Sequence, residues 1–269
     1  MTRASASQFT TVFLILTVIA FSALTYARNR VWTDGLALWS DAALKSPGKA
    51  RPHYNYALSL AGAGRLEEAL DENLKAVSIN PEFARAHFNI GAIHHTRGEV
   101  DEAISSYRLA LALLPGLATA HHNLGHAYYL KGLHDEAIAE YDRALELDPA
   151  HLKAYINKGL VYRDRGRFDS AVAEYGKALV IEPRSSRIYY ELGKTHLEMG
   201  MTGRAAEEFT TAIKIKPDYA EAHNGLGLAL EARGRTEEAF RHYQRALELD
   251  PSLKEAEKNL MRLYKGNEP

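Results

Sequence analysis

Pro47, Pro81, Pro115, Pro149, Pro183, Pro217 and Pro251 follow one another at intervals of 34 residues. A single globular core has no reason to repeat itself at a fixed spacing. A period of this length marks one small helical unit copied along an array, each copy burying its apolar face against the next. Every unit holds two amphipathic segments of roughly 12 residues, helix A and helix B, separated by a glycine and closed by the proline. The period predicts an all-α solenoid of helix-turn-helix units rather than a domain with one central core.

Within the unit, certain positions constrain the backbone and others the packing. Each unit is counted from the residue 31 before its proline, so that six units run over 50–83, 84–117, 118–151, 152–185, 186–219 and 220–253. Position 15 is then Gly64, Gly98, Gly132, Gly166, Gly200 and Gly234. Glycine enters the left-handed region at little steric cost, so these residues are expected to end helix A and turn the chain into helix B. Position 20 is alanine throughout (Ala69 to Ala239) and position 27 likewise (Ala76 to Ala246), while position 8 reads Ala57, Gly91, Gly125, Gly159, Gly193 and Gly227. Small residues at these three positions let helix axes approach closely. Bulk is expected from position 24, with Tyr107, Tyr141, Tyr175, Phe209 and Tyr243, and from position 30, with Ile79, Leu113, Leu147, Ile181, Ile215 and Leu249. Three departures stand out: Asn73 in place of the first unit's aromatic, Lys158 in place of a leucine, and MTGRAAEE, which lacks an acidic helix start.

This pattern of small residue, glycine, alanine, aromatic, alanine and proline resembles the tetratricopeptide repeat family over residues 50 to 253, a resemblance that implies a right-handed superhelical solenoid. Flanking segments fit the same plan. Residues 34 to 46 read as a lone helix B, with Trp39 at the aromatic position and Pro47 closing it, so 28–49 forms a juxtamembrane half repeat. Pro52 falls in the first turn of the first helix A, where its missing N–H is tolerated. Residues 254–269 supply a capping helix and tail, which repeat arrays need to shield the last interface.

Ahead of the array, no charged residue occurs from Ala4 to Ala27, and Phe9 to Tyr26 is an apolar run of 18 residues. At helical rise it spans about 27 Å, enough for a thin hydrocarbon core. A cleavable signal peptide is the competing reading, since Thr25-Tyr26-Ala27 offers small residues at a cleavage site. The run is longer than a typical signal-peptide core, which favours a retained transmembrane helix over residues 9–27 and a single-pass membrane protein. Arg28 and Arg30 against Arg3 favour a cytoplasmic array, by too small a margin to decide orientation. The segment YARNRVWTDGLALWSDAALKSPGKARPHYNYAL resembles the junction in membrane O-mannosyltransferase-like repeat proteins. That likeness implies repeats on the periplasmic or lumenal side, and an accessory or C-terminal domain of a membrane glycosyltransferase system as the alternative function. The family's multi-span catalytic portion is not in this sequence.

Composition narrows the function classes. A formal net charge of −1 argues against a general nucleic-acid binder, and with no cysteine there is no disulfide, thiol catalysis or cysteine-ligated zinc. No nucleophile elbow, phosphate loop, dinucleotide glycine motif or HExxH is present. The chain reads as a non-enzyme with no cofactor, no small-molecule substrate and other proteins as partners. His122 and His126, four apart on helix A, have the spacing of a metal pair. Histidine also recurs at position 4 as His53, His87, His121 and His223, which makes it a packing residue of the repeat, and no metal site is assigned.

The informative lanes lie on helix A. Position 6 reads Asn55, Asn89, Asn123, Asn157, Glu191, Gly225 and, in the cap, Asn259. In the tetratricopeptide family this lane faces the concave groove, and the ladder resembles that in the superhelix of O-linked GlcNAc transferase, where asparagines hold the backbone of an extended peptide. A carboxamide offers two donors and an acceptor and can satisfy a peptide group without reading its side chain. Position 2 reads Arg51, Arg85, Thr119, Lys153, Arg187, Glu221 and Glu255, basic near the membrane and acidic towards the tip. The expected peptide-binding residues are therefore Asn55, Asn89, Asn123, Asn157, Arg51, Arg85, Lys153 and Arg187. Against this stands the plain reading of both lanes as a solvated polar face.

Overall fold

The computed structural model describes residues 35–266, with side chains to Tyr264, together with Thr17 and Phe21. The expected span at 9–27 lies outside the described residues apart from those two. Among the described residues no helix is long and apolar enough to cross a membrane.

Fourteen helices are described, all α. The half repeat supplies α1 (Gly35–Lys45). Helix A and helix B of the six repeats are α2 (Ala50–Gly62) and α3 (Leu66–Ile79), α4 (Ala84–Thr96) and α5 (Val100–Leu113), α6 (Ala118–Leu130) and α7 (His134–Leu147), α8 (Leu152–Asp164) and α9 (Phe168–Ile181), α10 (Ser186–Glu198) and α11 (Thr202–Ile215), and α12 (Ala220–Glu231) and α13 (Thr236–Leu249). The cap is α14 (Lys254–Gly266). Pro52 indeed stands in the first turn of α2.

The turn inside each hairpin has one mechanism. All six position-15 glycines lie at positive φ, from 68° at Gly166 to 77° at Gly98, and no other residue type does so among the described residues. The left-handed residue lets two following amides cap the helix: Gly132 N–H donates to Tyr129 O (2.9 Å) and Leu133 N–H to Tyr128 O (2.9 Å). The second of these bonds recurs from Arg65 to Leu60, Glu99 to His94, Arg167 to Tyr162, Met201 to His196 and Arg235 to Leu230. This is the paired closure of a Schellman motif, which satisfies carbonyls a helix end would otherwise orphan. Helix B starts are not capped by side chains. Most carry carboxylates in the first turn instead, such as Glu67 and Glu68 in α3 or Asp135 and Glu136 in α7, where they complement the helix dipole. In α11, which begins within MTGRAAEE, there is none, and the helix forms all the same.

The chain divides into two compact units, Met1–Pro115 and Gly116–Pro269. In the first, α1 to α5 pack consecutively, each on the next. In the second, α6 to α14 do likewise, and successive A helices also touch: α6 with α8, α8 with α10, α10 with α12, and α12 with α14. No contact of that extent links successive B helices among the described residues of this unit, so its A helices line the inner side of the stack.

Packing inside each hairpin follows the small positions. Every alanine at positions 20 and 27 is fully buried, and so is every aromatic at position 24. The ring of position 24 lies directly on position 8: a Cβ added at Gly91, Gly125, Gly159, Gly193 or Gly227 would come within 2.5 to 2.9 Å of ring carbons of Tyr107, Tyr141, Tyr175, Phe209 or Tyr243. Only glycine leaves room for the ring. In the first repeat, where Asn73 replaces the aromatic, position 8 is Ala57, so the one unit that lacks the ring is the one that carries the methyl. Position 30 differs from expectation. Ile79 is 37% exposed and Leu147 and Ile181 are 38% exposed, with Leu113, Ile215 and Leu249 half-buried. This position falls in the last turn of helix B, beyond the overlap with helix A, so it edges the core instead of filling it.

Lys158 is buried, and its ammonium is neutralised by Asp142 (2.6 Å) and Glu174 (3.2 Å). A buried ammonium persists only with partners of this kind.

Candidate peptide-binding surface

The two lanes behave differently once folded. Position 2 is exposed wherever it is charged: Arg51 and Arg85 in the first unit, and Lys153, Arg187, Glu221 and Glu255 in the second. Within the second unit the lane changes sign along the A helices, from Lys153 and Arg187 to Glu221 and Glu255. A helix places position 2 in the first turn, ahead of the contact with the preceding hairpin, which leaves these side chains in water.

Position 6 is more enclosed than position 2. Asn55, Asn89, Asn123 and Asn157 are half-buried, and Glu191 and Asn259 are buried. Several are already engaged by their own fold. Asn157 donates from Nδ2 to Nε2 of His122 (3.1 Å), and His122 Nδ1–H donates to Oδ1 of Asn123 (3.0 Å). One imidazole thus ties together the asparagines of consecutive repeats. Stacked on His151 at 4.8 Å and only 8% exposed, it is held neutral, and burial lowers its pKa to about 4. Asn259 donates to Asn224 (2.9 Å). Both asparagine contacts join residues 35 apart, one repeat plus one position. Separately, Arg163 of the fourth repeat pairs with the buried Glu191 of the fifth.

Gly225, which breaks the asparagine lane, has a steric cause. A Cβ there would lie 2.6 Å from the ring of Phe209, already seated against Gly193. A cavity of about 420 Å³ lies beside Phe209 and Gly225, bounded by Tyr190, Leu228, Glu221 and Glu255.

The histidines do not assemble a metal centre. Both ring nitrogens of His122 are occupied by asparagines. His53 and His121 bond Glu72 and Glu140 of their own helix B, each at 2.6 Å, and His223 stacks on His242. Among the described residues no group of three His, Asp or Glu could hold an ion. Sequence reasoning had missed His122, Asn224 and Arg163 as organisers of the lane. For His122 and Asn224 the signal was a spacing of 35 rather than 34, and for Arg163 one of 28 to Glu191, visible only once the register between repeats is known.

Models described as tetratricopeptide repeat match residues 82–150 and 190–253, and one described as TPR repeat matches 57–98 and 159–200. The chain belongs to the tetratricopeptide repeat family. No curated protein matches this tetratricopeptide chain. Among solved structures it is similar to a chain of the APC/C hetero-tetramer Cut9–Hcn1, with a TM-score of 0.69 and 19% identity over 84% of this chain; it spans 45% of that one. PilW, a widely conserved type IV pilus biogenesis factor, gives a TM-score of 0.71 and 22% identity, covering 78% of this chain and 98% of its own. YrrB, a TPR protein with an unusual peptide-binding site, gives 0.56 and 22%, covering 69% and 96%. These are likenesses of fold.

Proposed function

We propose that the tetratricopeptide array is a non-catalytic scaffold that holds extended segments of partner proteins along its A helices. The observation that carries the reading is the pairing of an exposed charged lane at position 2 with a half-buried carboxamide lane at position 6 on the same helices. Arg51, Arg85, Lys153 and Arg187 would attract and orient a chain, since exposed charges act mainly on encounter and register. Asn55, Asn89, Asn123 and Asn157 would then bond its backbone. The His122 network supports this, because carboxamides locked in place lose less entropy on binding than free ones. YrrB, of the same fold, is described by its peptide-binding site, which is consistent with such a role. Attachment to a membrane through residues 9–27 belongs to the same proposal and rests on the uncharged apolar run.

Peptides selected from a random library against the full chain provide the test. Replacing Asn89, Asn123 and Asn157 with alanine should weaken their binding by about 1.5 to 4.5 kcal/mol, at about 0.5 to 1.5 kcal/mol for each lost bond. The triple variant should also melt somewhat lower, because Asn157 no longer satisfies the buried His122. Unchanged affinity, or binders selected no better than on a bare support, would remove the lane from recognition.

A further inference from the structure

The A helices of the second unit frame a pocket where the asparagine lane is interrupted. The cavity of about 420 Å³ lies between α10, α12 and α14, at the point where position 6 is Gly225 and carries no side chain. Its walls can be reached from outside: Tyr190, Leu228 and Leu253 are half-buried and present apolar surface, while Glu221 and Glu255, which also line it, are exposed. An engineered cavity of about 150 Å³ takes benzene, so this larger space has room for a long side chain together with part of its backbone.

Charge decides which side chain fits. Of the four charged groups that line the cavity, two already have company: Lys194 Nζ lies over the Tyr190 ring, 5.5 Å from its centroid, and Glu198 is 3.8 Å from Arg163. Glu221 and Glu255 have no ion pair or hydrogen bond among the described residues. Both bear on the same wall, because the Tyr190 hydroxyl is pushed up to about 12 by burial first and then by the field of Glu191, Glu221 and Glu255. Yet among the described residues no group of three His, Asp or Glu could hold a metal ion. The complementary cation must therefore bring its own reach. An arginine does so, since its aliphatic stem can cover apolar surface and its planar fork spreads five donors where an ammonium is a point charge. Asn224 adds a contact for the backbone. Its Oδ1 accepts from Asn259 (2.9 Å), which fixes the amide and leaves Nδ2 to donate to a peptide carbonyl.

We infer that this cavity is a recognition pocket for an arginine side chain of the bound partner, its stem against Tyr190, Leu228 and Leu253 and its guanidinium bonded to Glu221 and Glu255. The inference rests on the scaffold reading for the source of the arginine, and it adds a side-chain specificity that the backbone-binding asparagine lane does not provide. It also gives the segment a direction, with acidic residues beside Lys153 and Arg187 on α8 and α10 and the arginine at α12 and α14.

The test uses the full chain with N-acetylargininamide, N-acetylcitrullinamide and N-acetylleucinamide as probes, followed by nuclear magnetic resonance of the Asn224 side-chain amide and the Leu228 and Leu253 methyls. The arginine probe should bind and shift these signals. The citrulline probe, of the same shape without the charge, should bind about tenfold more weakly, because hydrogen bonds to charged groups are the stronger ones. The double variant Glu221→Gln, Glu255→Gln should weaken the arginine probe about tenfold or more and leave the leucine probe unchanged. Glu237→Gln, exposed on α13, should change neither. Citrulline or leucine binding as well as arginine, no shift with any probe, or undiminished arginine affinity in the double variant would overturn the assignment. Selected peptides that depend on the asparagine lane yet bind the double variant as well as wild type would overturn the protein source. Because the probes need no peptide, failure here leaves the asparagine-lane experiment untouched, and failure there leaves the pocket standing.

Discussion

Gly159 and Gly176 lie in the same repeat, both inside helices, and alanine at the two sites should act with opposite signs. Gly176 is exposed on α9, and a Cβ there meets nothing within 4 Å. Gly176→Ala should stabilise by about 0.5 to 1 kcal/mol, because alanine restricts the unfolded chain and favours helix. At Gly159 the same gain is available, but the Cβ would sit 2.5 Å from Cε1 of Tyr175 and 2.8 Å from Cζ. The ring is fully buried and can give way only by displacing neighbours. Overpacking of this kind costs about 1 to 3 kcal/mol, so Gly159→Ala should be destabilising by up to about 2 kcal/mol net. Urea unfolding followed by circular dichroism measures both, and Tyr175→Leu completes a double-mutant cycle. If the ring is the cause, Gly159→Ala should cost markedly less in the Tyr175→Leu background than beside the native ring, as the natural pairing of Ala57 with Asn73 implies. Effects that add within about 0.5 kcal/mol would refute the steric account.

Acid should weaken the fold through His122. Its native pKa lies below the unfolded value, near 4 against 6.5, so the unfolded chain takes up the proton first and stability falls as pH drops through that window. Between pH 7 and pH 5 this one group accounts for about 2 kcal/mol, and urea midpoints of His122→Asn should fall less over that range than wild type. His196, His223 and His242, also lowered by burial, add loss of the same sign in both proteins. Carbonate extraction of membranes should leave the full chain in the pellet; release of an intact chain, or a mature N-terminus at Arg28, would replace the anchor with a cleaved signal.

The period by itself determined the helical hairpins, their limits and their turns, because left-handed glycine and close-packed alanine are local demands that each unit meets alone. Exposure of position 2 was legible for the same reason. At position 6 the contacts among the carboxamides were not legible: the rotation of one repeat against the next brings His122 to Asn157 and Asn224 to Asn259, and spacing within one repeat does not encode that rotation. Position 30 was misjudged, since an apolar residue at a helix end reads as core until the overlap of the two helices is known. The alanine at position 57 and the asparagine at 73 were both plain in the sequence. Only the packing of the hairpins related them, since a ring and a methyl 16 residues away compete for one volume.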